Sequence, residues 1–229
     1  MANTPRSRID PWAEAVLHLN TADPVFGSLI ARVGPCLIRP KVRKDRFPTL
    51  VRAIIGQQIS SKAAASIDAK LRDLTGQAHA PDSLIELGEP GLRSVGLSGV
   101  KARYVLNLAE AVRTKVVPLD VIHQWDDDAI IACLTTIKGV GVWTAEMFLI
   151  FALGRPDVFP VGDLGVRAAL RDRYELPDLP KPEAARALGD AWRPFRSVAS
   201  WYLWRSLEPQ HKTATTSTSP TATKASAPK

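Results

Sequence analysis

The sequence predicts a mainly α-helical protein, because apolar residues recur at helical spacing along most of the chain and strand signals are few. Ala64, Ile67 and Leu71 form one such stripe, and Gly76 follows it as a stop signal. Residues 126–128 are all aspartate and precede another stripe, where acidic side chains suit a helix N-terminus. Together these patterns indicate helices joined by polar connectors.

The remaining stripes extend this interpretation. One follows the loop at 96–99, and another ends at Gly154, a residue type that commonly terminates helices. A last helix is predicted over 192–207. The best strand signals are two short pieces near 36–38 and 158–159, which are too few to build a sheet.

The composition is that of a globular protein with a basic surplus. Hydrophobic residues make up 45% of the 229 residues, mean hydropathy is −0.04, and no apolar run approaches the length of a membrane span. The formal net charge is +7, of which +2 falls after Leu207 (three lysines against one acid), leaving +5 on residues 1–207. This surplus favours a polyanionic partner such as nucleic acid.

Several classes of protein are disfavoured by the residues present. Cys36 and Cys133 have no neighbours at metal-ligand spacing, so a disulfide framework, an iron–sulfur cluster and a cysteine-based zinc site are not expected. The N-terminus, MANTPRSRIDPW, lacks the apolar segment of a secretory signal, and we expect a reducing, cytoplasmic compartment. The sequence contains no nucleotide-binding glycine motif, and we expect no cofactor.

The segment 134–145, LTTIKGVGVWTA, carries the most information. One predicted helix ends at Ile137, the chain turns through 138–141, and a second helix starts near Val142. Backbone N–H groups at the start of that helix suit a phosphate, glycine allows close approach of a DNA backbone, and Lys138 adds a positive charge. An ordinary turn between two helices explains the same glycines.

The hairpin and a loop downstream of it resemble those of the helix-hairpin-helix DNA glycosylases. The matching hairpin positions are Leu134, Gly139, Val140, Gly141, Thr144 and Ala145. In that superfamily a glycine- and proline-rich loop follows and ends in a catalytic aspartate. Here the loop is 158–163 and ends at Asp163, 20 residues after Trp143. The resemblance implies that Lys138, the two glycines with Val140, and Thr144 form a DNA-binding hairpin.

Two further segments narrow the resemblance to the 3-methyladenine DNA glycosylase II family. Residues 47–60 resemble the opening helix of that family and its Gln-Gln-hydrophobic-Ser segment, and Lys-Ala-Ala follows at 62–64. Residues 192–197, together with Trp204, resemble its final helix. The matches span roughly Phe47 to Trp204.

The resemblance implies an all-α, two-lobed fold with the active site in a cleft between the lobes. We expect an N-terminal segment (1–44) that packs on the C-terminal lobe, a central lobe (45–155) with its helix-hairpin-helix at about 134–152, and a catalytic loop with C-terminal helices (156–207). The tail, 208–229, is rich in Thr, Ser, Ala and Pro, and we expect it to be disordered. A separate N-terminal β-domain, which some relatives carry, is not expected because the leader is too short.

Asp163 is the catalytic candidate. Breaking the C1′–N bond of a nucleotide passes through a transition state that resembles an oxocarbenium ion, and a fixed carboxylate stabilises that cation. The alternative is that Asp163 only caps a helix over the residues that follow it. The two roles are compatible.

The resemblance also places four residues around a base flipped out of the duplex: Trp143, Trp204, Met147 and Gly165. An alkylated base is cationic and aromatic faces attract cations, so we expect the two tryptophans to wall the pocket. Their alternative is a place in the core. Met147 and Gly165 stand where relatives often carry larger side chains, which predicts a roomier pocket.

A side chain must fill the gap that a flipped base leaves in the duplex. The candidates are Ser60, in the loop after 57–59, and Val100, in the next helix–helix loop. Lys62 and Lys101 are candidates for further phosphate contacts, with a merely solvated surface as their alternative. We expect no metal held by side chains, although the backbone carbonyls of the hairpin suit a monovalent cation.

These observations favour a monofunctional glycosylase that excises alkylated bases. In members that cut the strand, a lysine at the start of the second hairpin helix forms a Schiff base with the substrate, whereas this chain has Trp143 there. We expect a monomer whose partner is double-stranded DNA containing damaged bases. The alternatives are a non-catalytic helix-hairpin-helix DNA-binding protein and a bifunctional glycosylase with lyase activity.

Overall fold

The computed structural model describes residues 11–41, 45–76 and 79–208, and this part of the chain is helical without a β-strand. Its α-helices are α1 (Ala13–Ala22), α2 (Pro24–Val33), α3 (Arg46–Gly56), α4 (Ser61–Thr75), α5 (Pro81–Ser94), α6 (Gly99–Arg113), α7 (Asp127–Thr135), α8 (Val142–Phe148), α9 (Leu164–Arg173), α10 (Pro182–Leu188) and α11 (Arg196–Ser206). A π-helical turn, Leu149–Leu153, extends α8. The all-α class predicted from the sequence is confirmed.

Short polar side chains begin several of these helices, as predicted for the aspartates at 126–128 and for Asp163. The side-chain oxygens of Ser60, Ser98, Asp126 and Asp163 accept the backbone N–H three residues later, at 3.2, 3.3, 2.7 and 2.7 Å respectively. Each of these bonds satisfies a donor that has no partner within its own helix. Gly154 ends the π-helical turn in the left-handed conformation, as its place in the stripe predicts.

The two short strand signals do not form a strand, and one detail of the predicted helices is wrong. At 36–38 the polar groups bond elsewhere, since Trp12 Nε1 donates to the Ile38 carbonyl at 2.8 Å. The last predicted helix is interrupted, since a short helical turn at Gly189–Trp192 precedes α11, which starts only at Arg196. Pro194 explains the break, because it lacks the N–H that a continuous helix needs.

The helices form two packed groups. In the first, α3 contacts α4, α6 and α8, while α5 packs on α6 and α7 on α8. In the second, α1 and α2 pack on each other and on α11, which also contacts α9. Trp192 Nε1 donates to Asp23 Oδ2 at 3.0 Å and so ties the N-terminal helices to the C-terminal ones. We propose the domain boundaries given above on this basis.

The described residues do not cover all of the predicted segments. Residues 1–10 and 42–44 of the N-terminal segment lie outside them, as do 77–78 and most of the predicted tail, 209–229. Within the described part, no helix combines the length and the apolar character needed to cross a membrane.

Candidate active site

A cleft of about 890 Å³ opens between α3 and α4 on one side and α8, α9 and α11 on the other. The four residues predicted to surround a flipped base, Trp143, Met147, Gly165 and Trp204, all line it. Asp163 lines it as well. Tertiary packing therefore brings together five residues that are spread over 62 positions of the sequence (143 to 204).

Asp163 lies at the N-terminus of α9, and its carboxylate has two further donors besides the helix. Oδ1 accepts the backbone N–H of Val166 at 2.7 Å, which makes Asp163 the N-cap. The indole N–H of Trp143 donates to Oδ2 at 2.6 Å, and that of Trp204 donates to Oδ1 at 2.9 Å. The two tryptophans therefore contact the carboxylate by their pyrrole edges in addition to lining the cleft.

Gly165 does not enlarge the pocket in the way that its small size predicts. A Cβ added at this glycine would lie 3.1 Å from Asp163 Oδ1, 3.2 Å from Trp204 Cδ1 and 3.4 Å from Trp204 Nε1. The space that a larger side chain would fill is thus already occupied by the pyrrole edge of Trp204. The missing side chain makes room for the tryptophan rather than for a ligand.

Two aromatic walls of the cleft, Phe151 and Trp201, were not predicted. The Phe151 ring centroid lies 5.6 Å from that of Trp204. The sequence could have indicated that Phe151 lines the cleft, because it follows Trp143 and Met147 at intervals of four residues and therefore shares their helix face. Trp201 lies one turn before Trp204 on α11.

Charged side chains from α3 and α4 also line the cleft, and sequence reasoning missed them: Arg52, Asp68 and Arg72. Asp68 is buried, Arg72 donates to its Oδ2, and His79 Nε2 lies 2.9 Å from its Oδ1. Burial alone would raise the pKa of Asp68, but the hydrogen bonds to His79 and Arg72, with the charge of Arg52, hold it below its usual value. The wall opposite Asp163 is therefore a paired network rather than a purely apolar surface.

Glu146, one turn after Trp143 on α8, is the second carboxyl group near Asp163. Burial raises its pKa to about 7, and the negative charge of Asp163 contributes in the same direction, while Arg186 opposes it. The sequence offered no signal for this group, because a glutamate within a helix is normally solvated.

We expect Glu146→Gln to stabilise the protein more at pH 8 than at pH 5. The folded state binds the Glu146 proton more tightly than the unfolded state, whose carboxyl keeps the usual value of 4.5, so the carboxyl lowers stability progressively between pH 4.5 and about 7. Removing the charge should recover about 1–3 kcal/mol of unfolding free energy above pH 7. Urea unfolding at both pH values measures the difference. Glu183→Gln, at an exposed position on α10, is the control. An equal effect of Glu146→Gln at both pH values would contradict the raised pKa of Glu146.

The predicted hairpin connects α7 to α8, and its two glycines have different surroundings. Gly139 has φ +102°, and a Cβ there would lie 2.0 Å from Tyr104 Cγ, so only glycine fits. Gly141 has an extended backbone, is exposed, and a Cβ there would meet nothing within 4 Å. Lys138 is exposed beside it, whereas the side chain of Val140 is buried and anchors the turn.

The back of the hairpin is held by side chains from α6 and from the loop after α3. Gln57 Nε2 donates to the Gly139 carbonyl and to Thr144 Oγ1, both at 3.0 Å, and Asn107 Nδ2 donates to the Lys138 carbonyl at 3.2 Å. Thr144 was predicted to contact DNA, but only 1% of it is exposed, so it supports the hairpin from within. The suggested monovalent cation would share these two carbonyls with Gln57 and Asn107.

Of the two other predicted DNA contacts, one side chain is engaged within the protein and the other is exposed. Lys101 is a correction: its Nζ donates to the Ile55 and Gln57 carbonyls at 2.8 and 2.5 Å, and burial lowers its pKa. It therefore holds the end of α3 rather than presenting a free charge. Lys62 is exposed on the first turn of α4.

The two wedge candidates are both exposed at helix starts. Ser60 caps α4 and lines the cleft, and Val100 is 48% exposed in the first turn of α6. Ile59, which was not predicted, is a further exposed apolar side chain that lines the cleft. Each of these three side chains is a proposed candidate for filling the gap in the duplex.

An all-α fold with a hairpin beside a cleft that holds a helix-capping aspartate is the arrangement that the resemblance to the helix-hairpin-helix DNA glycosylases implies. The family model described as HhH-GPD superfamily base excision DNA repair protein matches residues 51–194. This chain belongs to the HhH-GPD superfamily.

Individual relatives agree with this assignment. The chain is 33% identical over 198 residues to DNA-3-methyladenine glycosylase 1 of Schizosaccharomyces pombe, covering 84% of this chain and 86% of the relative. The structure of the 3-methyladenine DNA glycosylase of that organism in complex with abasic DNA superposes with a TM-score of 0.79 at 32% identity, covering 85% and 96% of the two chains. A DNA-3-methyladenine glycosidase structure from Bacillus halodurans gives a TM-score of 0.68 at 31% identity, covering 86% and 88%.

Proposed function

We propose that this protein is a monofunctional DNA glycosylase that hydrolyses the N-glycosidic bond of alkylated bases, of the 3-methyladenine type, in duplex DNA. The observation that carries the proposal is the Asp163 carboxylate, which three N–H donors hold at the edge of an aromatic cleft next to the α7–α8 hairpin. The relatives named above are 3-methyladenine glycosylases, which supports an alkylated base of that type as the substrate. The protein would act as a monomer in the cytoplasm, associated with the nucleoid in a bacterial cell.

Asp163 would act on the sugar and the cleft would hold the base. As the C1′–N bond breaks, positive charge develops on the sugar, and a carboxylate fixed next to C1′ stabilises it and orients the attacking water. A base methylated on a ring nitrogen is already cationic and leaves readily, so the protein needs no strong general acid. The rings of Phe151 and Trp204 line the cleft and offer surfaces on which such a cation binds.

Water is the proposed nucleophile because none of the residues that line the cleft in the described part of the chain is a lysine. Trp143 occupies the start of the second hairpin helix, and an indole cannot form a Schiff base. Lys138 is exposed on the other side of the turn. Lys41 lines a neighbouring cavity of about 570 Å³ that shares Trp143 with the cleft, and it is the lysine to exclude by experiment.

We expect the purified protein to release methylated bases from alkylated duplex DNA and to leave abasic sites without cutting the strand. Chromatography of the released bases and gel analysis before and after alkali treatment measure the two products. Borohydride added during turnover should trap no covalent adduct, because no amine attacks C1′.

Two outcomes would contradict the proposal. Binding of duplex DNA without release of any base would indicate a non-catalytic helix-hairpin-helix protein. Efficient trapping that is lost in Lys41→Ala or Lys138→Ala would indicate a bifunctional enzyme and would identify the nucleophile. The two lysines line separate cavities, and the two variants show which of them is trapped.

A further inference from the structure

The Asp163 carboxylate accepts three hydrogen bonds that come from three different helices. Val166 N–H belongs to α9, the Trp143 indole to α8 and the Trp204 indole to α11. Donors on separate elements oppose rotation of the carboxylate about its Cβ–Cγ bond, since any rotation breaks at least one bond that the others cannot replace. Bonds from N–H groups to a carboxylate are also about twice as strong as neutral ones.

The three bonds are distributed unequally between the two oxygens. Oδ1 accepts from Val166 at 2.7 Å and from Trp204 at 2.9 Å, whereas Oδ2 accepts only from Trp143, at 2.6 Å. A carboxylate has about four lone-pair sites, two on each oxygen. Both sites of Oδ1 are therefore occupied, and Oδ2 is the oxygen with a lone pair left for a substrate or a water.

We propose that Trp143 and Trp204 are positioning residues that clamp Asp163 so that Oδ2 faces the reacting sugar, and that Gly165 is the residue that admits Trp204 to this clamp. The inference rests on the proposed role of Asp163 in base excision. It differs from the role expected from the sequence, in which the tryptophans act through their ring faces alone. Their N–H groups prepare the carboxylate before the reaction, and a group fixed in advance needs no reorganisation when charge develops.

Gly165 is a position where the helix and the clamp have opposite requirements. Alanine forms helices more readily than glycine does, so an alanine in the first turn of α9 would favour the helix. Its Cβ, however, would lie 3.2 Å from Trp204 Cδ1 and 3.1 Å from Asp163 Oδ1, so the indole or the carboxylate must shift by a few tenths of an ångström. Gly165→Ala is therefore expected to fold normally while it loosens the bond between Trp204 and Asp163.

The clamp is tested directly by the indole N–H resonances of the six tryptophans in a ¹⁵N–¹H spectrum, assigned with Trp→Phe variants. In Asp163→Asn, and more strongly in Asp163→Ala, the Trp143 and Trp204 signals should both move upfield, because a charged acceptor is replaced or removed. Trp192, which donates to Asp23 at 3.0 Å, and Trp12, which donates to the Ile38 carbonyl, should not move. A Trp143 or Trp204 signal that stays in place overturns the clamp, whether or not the protein excises bases.

Activity provides the second test. Trp204→Phe keeps an aromatic face but lacks the N–H, so it should slow single-turnover excision by about tenfold or more. Gly165→Ala, which only shifts that N–H, should slow excision by a smaller factor. Affinity for abasic DNA should stay within about twofold. The double variant should be no slower than Trp204→Phe alone, because both changes act on the same bond.

Additive losses, or losses that appear only in DNA affinity, would assign the two residues to the pocket wall and overturn the proposal. Trp125→Phe, at a tryptophan outside the cleft, is the matched control for the loss of an indole. If the wild-type protein released no base, the proposed function would fail while the spectra still decided whether the clamp exists.

Discussion

Replacing Asp163 by asparagine is expected to lower the rate of base release by roughly 10²–10³-fold or more while affinity for abasic DNA stays nearly unchanged. The carboxylate stabilises charge that exists only in the transition state, so its loss affects the chemical step and leaves ground-state binding intact. Asparagine is almost isosteric and caps helices as well as aspartate does, so α9 should keep its start.

The experiment compares single-turnover excision rates and abasic-DNA affinities of Asp163→Asn and the wild type. Thermal unfolding must be measured alongside, because the new amide places an N–H donor opposite the Trp143 indole donor. Asp157→Asn is a control on the same connecting loop: Asp157 pairs with Arg196 at 2.7 Å and does not line the cleft. A folded Asp163→Asn protein that excises within a few-fold of the wild type would remove Asp163 from the mechanism.

The second large effect is expected at the hairpin, where the two glycines should respond differently. Gly141→Val should fold, since its backbone is extended and a Cβ there meets nothing within 4 Å, but the side chain would stand at the proposed phosphate contact. We expect DNA affinity to fall by roughly tenfold for every duplex sequence, because backbone N–H contacts to phosphate carry no base information. Gly139→Val should instead disrupt the hairpin, at a cost of about 1–3 kcal/mol or more, because its side chain collides with Tyr104 at a positive φ.

Binding curves for two unrelated duplexes at several salt concentrations measure the first effect, and urea unfolding measures the second. Lys138→Ala should reduce the slope of log affinity against log salt by about one, as expected for one lost phosphate contact. Thr144→Val provides the contrast, because that side chain is buried and its loss should appear in stability rather than in the salt slope. A folded Gly141→Val protein that binds both duplexes normally would contradict the hairpin assignment.

The sequence indicated that the two tryptophans lie at the cleft, but it did not indicate what their N–H groups contact. Trp143 and Trp204 do line the cleft, as the resemblance implies, yet their N–H groups are bonded to Asp163. The spacing of residues along a helix indicates which face a side chain occupies. It does not indicate which atom of an indole meets a group carried by another helix.

The sequence by itself determined the features that depend on neighbouring residues. Helical stripes, capping side chains and the Gly-Val-Gly turn are local patterns, so the all-α class, the hairpin and the start of α9 at Asp163 could be predicted from them. Such patterns act over a few residues, within the range of a single helical turn.

Only the tertiary structure decided the contacts between distant segments. Lys101 meets two carbonyls at the end of α3, Thr144 meets Gln57, and burial near Asp163 changes the proton affinity of Glu146. Each of these outcomes depends on the distance between helices that lie far apart in the sequence. Hydrogen bonding and desolvation act over a few ångströms of space, so the order of residues along the chain cannot specify them before the helices pack.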